Sequence, residues 1–271
     1  MTYLSNIHTH TEFCDGASTV AEMAAAAYQK GFVSLGFSGH SPLPYKNNYA
    51  MKPEQLADYR AQVLAERERY AGKMEILLGM EWDLDSPAAD FPLDFQIGSV
   101  HQLHPNGECF AVDDTREELE ACAAHYPDMR GMITDFYHET VRSALRPGVT
   151  VVGHFDLISK FNEEKTYFDP EDRFYRDTAL AAMEEILSKR PELLFEINTG
   201  AMARGYRSSP YPDFFLLRYF ADRNARVILN SDAHTADAID AGFAEAAKMA
   251  YGAGMKALFR LRSGGAERVS L

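Results

Sequence analysis

Arg226-Val227-Ile228-Leu229-Asn230-Ser231-Asp232-Ala233-His234 joins a short apolar run to an acid and a histidine two residues apart. The same design recurs along the chain: Ser5-Asn6-Ile7-His8-Thr9-His10, Leu35-Gly36-Phe37-Ser38-Gly39-His40, Ile97-Gly98-Ser99-Val100-His101 and Val151-Val152-Gly153-His154. Ile76-Leu77-Leu78-Gly79-Met80-Glu81 repeats it with a carboxylate. Apolar runs of this length, bounded by turn-forming residues, read as buried strands. Strands that each end in a potential ligand point to one site built at their carboxyl ends.

Seven strand-like runs stand near residues 3–7, 33–37, 75–78, 95–100, 150–152, 193–197 and 226–229. Helical spacing lies between them. Val20, Met23, Ala24, Ala27 and Tyr28 share a face, with Thr19 and Glu22 as a capping box and Gly31 as a stop. Thr115 and Glu118 suggest a second box, and 171–189, 213–223 and 236–250 also carry the helical period. Alternating strand and helix implies a mostly parallel sheet, open or closed. An open sheet would gather its site at one crevice, whereas here every strand end carries polar groups, which favours an α/β barrel. At 271 residues, 46% of them apolar, one domain spanning 1–271 is expected. The Pro-, Gly- and Tyr-rich segments 41–53 and 199–213 read as lids over the site.

A formal charge of -13 argues against nucleic acid or an anionic membrane as partner, since both require clustered Lys and Arg. Cys14, Cys109 and Cys122 are odd in number and lack the C-x-x-C spacing, which fits free thiols in the cytoplasm. The sequence has no run of the ~20 apolar residues a membrane span needs, and no signal peptide. The oligomeric state is not written in it.

His8 and His10, two residues apart at a strand end, face one way and can share a cation. Any single histidine here could be a hydrogen-bonded core residue. Six after strands, together with Asp15, Glu81 and Asp232, are better read as a metal site. These ligands outnumber the three or four of one catalytic zinc, so two or three ions are expected. Zinc, manganese and iron all suit imidazole and carboxylate. Cys14 is read as packed behind its loop, Trp82 as packed against the barrel, and His104, His125 and His138 as ordinary surface or loop residues.

The chain resembles the polymerase and histidinol phosphatase (PHP) superfamily, and within it the histidinol-phosphate phosphatases. The motifs that carry this run its full length: His8-Thr9-His10-Thr11 with Phe13-Cys14-Asp15, Gly36-Phe37-Ser38-Gly39-His40-Ser41-Pro42-Leu43-Pro44, Gly79-Met80-Glu81, Ile97-Gly98-Ser99-Val100-His101, Gly153-His154-Phe155-Asp156, Glu196-Ile197-Asn198-Thr199 and Ser231-Asp232-Ala233-His234. The resemblance implies a distorted seven-stranded parallel β/α barrel with a trinuclear centre. By position, His8, His10, Glu81 and Asp232 would hold one ion; Glu81, His101 and His154 the second; Asp15, His40 and His234 the third.

The implied activity is hydrolysis of a phosphate monoester, L-histidinol phosphate foremost, by a metal-activated hydroxide attacking phosphorus. Arg204, Arg207 and Lys160 are the candidate phosphate contacts, with Lys160 standing where an arginine is expected. Asp232 or His234 would supply the leaving group's proton, while Tyr45, Tyr49, Tyr206 and Tyr211 could enclose an imidazole ring. The rival readings are a PHP phosphoesterase acting on another monoester or nucleotide, and a polymerase-type PHP domain. The absence of a basic stripe speaks against the latter.

Overall fold

The computed structural model describes residues 3–271. Its elements run β1 (Ser5–Asn6), α1 (Val20–Gln29), β2 (Ser34–Phe37), α2 (Leu56–Arg69), β3 (Glu75–Trp82), β4 (Phe95–Gly98), β5 (Gln102–Leu103) and β6 (Phe110–Ala111). There follow α3 (Arg116–Ala123), α4 (Met129–Ala144), β7 (Val151–Val152), α5 (Arg173–Lys189), β8 (Leu194–Asn198), α6 (Gly200–Ala203), α7 (Phe214–Arg223), β9 (Arg226–Asn230), α8 (Phe243–Gly252), β10 (Ala257–Arg262) and β11 (Gly265–Ser270). The seven expected runs become β1 to β4 and β7 to β9, paired parallel in chain order.

The sheet has nine strands rather than the seven expected. β10 adds parallel to β9, and Gly265, at φ +108°, turns the chain back into antiparallel β11. This hairpin closes the amino-terminal end of the curl. Leu261 packs with the interior, its carbonyl accepts from Ser34 Oγ (2.9 Å), and Arg262 pairs with Glu75 (2.7 Å). At the other end, just beyond β1 and β9, the two segments share a single bridge between Thr9 and Ala233, joined by His10 N–H to the Ala233 carbonyl at 2.8 Å and Ile7 N–H to Asn230 Oδ1 at 2.9 Å. The seam is therefore short, and it lies beside the histidines.

Strand parity divides inside from outside. Leu77, Phe95, Ile97, Val151, Leu194, Ile228, Ile7 and Leu261 form a small cluster of their own, about one residue per strand, which fills the curl. Residues of opposite parity, such as Ile76, Leu78, Met80, Phe195, Ile197, Val227 and Leu229, pack outward in the larger core shared with the helices. Two residues further along the inward face, the apolar filling gives way to polar groups. On β3 and just beyond, Leu77 and Gly79 are followed by Glu81 and Asp83. On β4 and beyond, Phe95 and Ile97 lead to Ser99 and His101, while Leu194 leads to Glu196 and Ile228 to Asn230 and Asp232.

Among the helices, α1 forms the expected box, Glu22 N–H to Thr19 Oγ1 at 3.1 Å and Thr19 N–H to Glu22 Oε2 at 2.8 Å. At α3 the Thr115 hydroxyl accepts from Glu118 N–H (3.1 Å). α8 starts at Phe243, not 236, because Gly242 at φ +72° breaks the run. α2 and α4 were not among the expected helices. α2 buries only Tyr59 and Val63 among charged residues, and α4 mixes β-branched and aromatic residues that dilute helical propensity. Among the described residues no helix is long and apolar enough to cross a membrane.

Candidate metal centre

Glu81, 1% exposed on the inward face of β3, is the hub of the site. Its Oε2 lies 3.2 Å from His8 Nε2, 3.5 Å from His10 Nε2 and 3.1 Å from His40 Nδ1. Its Oε1 lies 2.9 Å from His154 Nε2 and 3.5 Å from His101 Nε2, and accepts from Ser99 Oγ (2.5 Å). Asp232, beyond β9, brings Oδ1 to 3.1 Å from His10 Nε2 and 3.6 Å from His8 Nε2. Asp15, on the turn after His10, reaches His234 Nε2 at 3.1 Å and His40 Nε2 at 3.7 Å. All nine residues singled out as ligands thus come together, although His8 and His10 follow β1 rather than lie in it.

The compact donor groups overlap: His10, Asp15, His40 and His234; His8, His10 and Asp232; His8, Glu81 and His154; His40, Asp83 and His101. Asp83 was missing from the expected set. It holds His101 Nδ1 at 3.0 Å, and its position two residues beyond Glu81 on the same face was the available signal. Ser99 and Glu196 lie within the sequence motifs and support the centre without being among the expected ligands.

Buried polar groups normally find hydrogen bonds, and an orphan costs about 1–3 kcal/mol. His8 Nε2, His10 Nε2, His40 Nδ1 and Glu81 Oε2 are all buried without a hydrogen-bond partner. Four orphans converging on one spot fit a cation: nitrogen lone pairs and a carboxylate oxygen are what zinc, manganese or iron would take there.

The protonation of the metal-free centre follows from its carboxylates. Burial lowers the His8 pKa, but Glu196, Glu81 and Asp232 outweigh it and hold the group well above the usual range. His10 is raised likewise, burial being outweighed by Asp15 and Asp232, and His101 is lifted to about 10 against burial by Asp83 and Glu81. Burial lowers His40 to about 4. In the metal-free centre these carboxylates favour the protonated form of His8, His10 and His101, and a metal competes with those protons. Metal uptake at pH 7 is expected to release up to one proton from each of the three, with affinity rising as pH rises. Calorimetry of zinc binding in buffers of different ionisation enthalpy checks this; uptake without proton release would contradict it.

The centre opens into a cavity of about 470 Å³. Arg204 enters from the loop after β8, donating to the Asp232 carbonyl (3.1 Å), to Asp232 Oδ2 (3.2 Å) and to His234 Nδ1 (3.0 Å). Gly200 makes room for this pair, since a Cβ there would stand 2.7 Å from Asp232 Oδ2 and 3.0 Å from Arg204 Nη2. Tyr49, Tyr206 and Lys160 also line the cavity, with Asp113, Asp114 and Glu118.

The PHP domain family model matches residues 6–200. The chain belongs to the PHP family. It is 32% identical over 261 residues to a probable histidinol-phosphatase of Deinococcus radiodurans, covering 92% of this chain and 93% of that one. It is 26% identical over 266 residues to the histidinol-phosphatase of Bacillus subtilis, covering 88% and 95%. The histidinol phosphate phosphatase of Lactococcus lactis, solved in complex with zinc, L-histidinol and phosphate, shares the fold with a TM-score of 0.69 at 17% identity, covering 98% and 99%.

Within this PHP fold the expected phosphate contacts separate. Arg204 stands at the centre. Lys160 lines the cavity, but its ammonium is held by Asp113 Oδ2 (3.0 Å) and lies 4.8 Å from the Tyr206 ring. Arg207 does not line the cavity: it donates to the Ser159 carbonyl (3.0 Å) and Oγ (2.6 Å) and stacks on Tyr211 at 4.9 Å, tying the loop after β8 to the one after β7. Of the lid tyrosines, Tyr49 and Tyr206 reach the cavity. Tyr45 bonds to Gln102, and Tyr211 is buried behind His154. Cys14 sits behind His10, its Sγ 3.5 Å from Nδ1, and Trp82 packs under the Arg146 guanidinium at 4.6 Å.

Proposed function

We propose that this chain hydrolyses L-histidinol phosphate to L-histidinol and inorganic phosphate, as a step of histidine biosynthesis. The observation that carries the reading is the cage of orphaned imidazole and carboxylate atoms around Glu81, opening beside Arg204, in a chain related along its length to histidinol-phosphatases. His8, His10, Asp15, His40, Glu81, His101, His154, Asp232 and His234 hold two or three divalent ions, zinc, manganese or iron. Bound there, such ions lower the pKa of water towards neutrality and offset charge on phosphoryl oxygens.

The protein's own groups do the rest. Arg204 offers a planar fork of donors to the phosphoryl oxygens, and its present contact with Asp232 keeps it aimed at the centre. Lys160 lines the same cavity, its charge partly offset by Asp113 Oδ2 at 3.0 Å. Asp232 cannot carry the leaving group's proton: burial raises its pKa, but Arg204 and His8 overcome this and hold the carboxyl well below the usual range. His234, partly exposed and lining the cavity, can deliver that proton only from Nε2 and only when it is not itself holding an ion, because its Nδ1 accepts from Arg204. Asp113, Asp114 and Glu118 make the cavity lining acidic, which suits a substrate with an ammonium group and repels a nucleic-acid backbone. The free cysteines support a cytoplasmic setting, and the continuous strand order a single domain over 1–271.

The test is phosphate release from L-histidinol phosphate, a nucleoside monophosphate and an aryl phosphate, after stripped protein is reloaded with zinc, manganese or iron. A strong preference for L-histidinol phosphate is expected. Equal turnover of all three would leave a general PHP phosphoesterase in its place.

A further inference from the structure

Two fully buried carboxylates meet the His8 ring at its two nitrogens, Glu81 at Nε2 and Glu196 at Nδ1, and their hydrogen bonding differs. Glu81 Oε2 has no hydrogen-bond partner, whereas Glu196, on the inward face of β8, is saturated. Its Oε1 meets His8 Nδ1 (2.7 Å) and Asn230 Nδ2 (2.8 Å); its Oε2 accepts from the His154 backbone N–H (2.9 Å) and from Asn198 Nδ2 (2.9 Å). A carboxylate offers about four lone-pair positions, and four donors fill them here. Nothing remains for a cation, so Glu196 is not a ligand.

We infer that Glu196 is a positioning residue for the metal centre, fixing the proton of His8 on Nδ1 and pinning the backbone of His154. This rests on the metal-centre reading. A carboxylate at Nδ1 makes that nitrogen the donor, which leaves Nε2 as the lone pair turned toward Glu81 and Asp232. The His154 contact extends the same control to the loop after β7, where the ring nitrogen reaches Glu81 at 2.9 Å. One side chain thus sets candidate ligands that follow two strands well apart in the sheet order, β1 and β7. Asn198 and Asn230, on the neighbouring inward positions of β8 and β9, hold Glu196 in turn.

Glu196→Gln preserves volume, removes the charge and turns an amide N–H₂ toward two donors. The variant is expected to bind its tightest zinc about 10- to 100-fold more weakly, measured by competition with a chromophoric chelator. Far-UV circular dichroism and thermal melting check that it folds. If wild type takes up zinc and the variant takes it up equally well, the positioning role falls while the metal centre stands. If wild type takes up no zinc, both fall. Should the variant fail to fold, ¹⁵N NMR of zinc-loaded wild type decides: His8 with its proton on Nδ1 supports the assignment, and a proton on Nε2 overturns it. A loss confined to general stability would not move the tautomer.

Discussion

Asp232→Asn is expected to slow phosphate release by about a thousandfold or more and to lose bound metal, with the far-UV circular dichroism unchanged. Asp232 is the meeting point of the centre and the phosphate-facing cation. Its Oδ1 lies within 3.7 Å of His8, His10 and His234, and its Oδ2 receives Arg204 at 3.2 Å. Its backbone is held at φ +50°, a region that few side chains except Asn and Asp adopt readily. Such strain at a non-glycine position persists where the surroundings impose it, often at functional sites. Asparagine tolerates the same backbone and keeps the shape, so the substitution isolates the charge. Removing it takes away one of the anions that raise His8 and His10, and leaves Arg204 without its charged partner. Metal charge stabilisation amounts to several kcal/mol in hydrolysis, and about 4 kcal/mol is about a thousandfold in rate. The assay is initial-rate phosphate release beside metal analysis of the purified variant. A rate within about tenfold of wild type would remove Asp232 from the mechanism.

The candidate ligands other than Asp15 were legible because each stands at or just beyond the carboxyl end of a strand, and parity along a strand is a local property of sequence. Glu81, His101 and Asp232 occupy inward positions four residues beyond Leu77, Ile97 and Ile228, so the apolar filling already marks their face. What supports those ligands was less legible. Glu196 contacts His8 across 188 residues, and the Arg207 contact to Ser159 depends on how two loops meet; neither follows from any window of sequence. Arg207 and Arg204 look alike in the sequence, three residues apart. Only the turn between them, with Gly205 at φ +75°, sends one to the centre and the other to the neighbouring loop. The strand count failed for a different reason. β10 and β11 are half exposed and carry no ligand, so the signal that identified the other strands is missing from them.

Gly79→Ala is expected to destabilise the metal-free protein by about 3 kcal/mol, at the upper end of what overpacking a core usually costs. Gly79 lies on the inward face of β3, opposite Phe95 in register. A Cβ there would stand 2.4 Å from Phe95 Cζ, 2.5 Å from Cε1 and 2.6 Å from Cε2. The ring cannot retreat. It is 1% exposed, and on the adjacent strand a Cβ at Gly36 would already stand 2.8 Å from the same ring atoms. The two glycines are therefore the space that Phe95 occupies, and β3 must move if one is filled. A fall in melting temperature of roughly 6–12 °C follows for a chain of this size. Scanning calorimetry without metal is the right measurement, because a bound ion would add its own stabilisation. An unchanged melting temperature would contradict the packing argument. Phe95→Leu should partly rescue Gly79→Ala, the double variant being less destabilised than the sum of the singles, as expected for side chains in contact. The effect also reaches the centre. Glu81 is two residues further on the same face and touches His8, His10, His40, His101 and His154, so a displaced β3 moves the hub of the ligand set. Zinc affinity should fall together with stability in Gly79→Ala and recover together in the double variant, because one strand carries both the packing and the ligand.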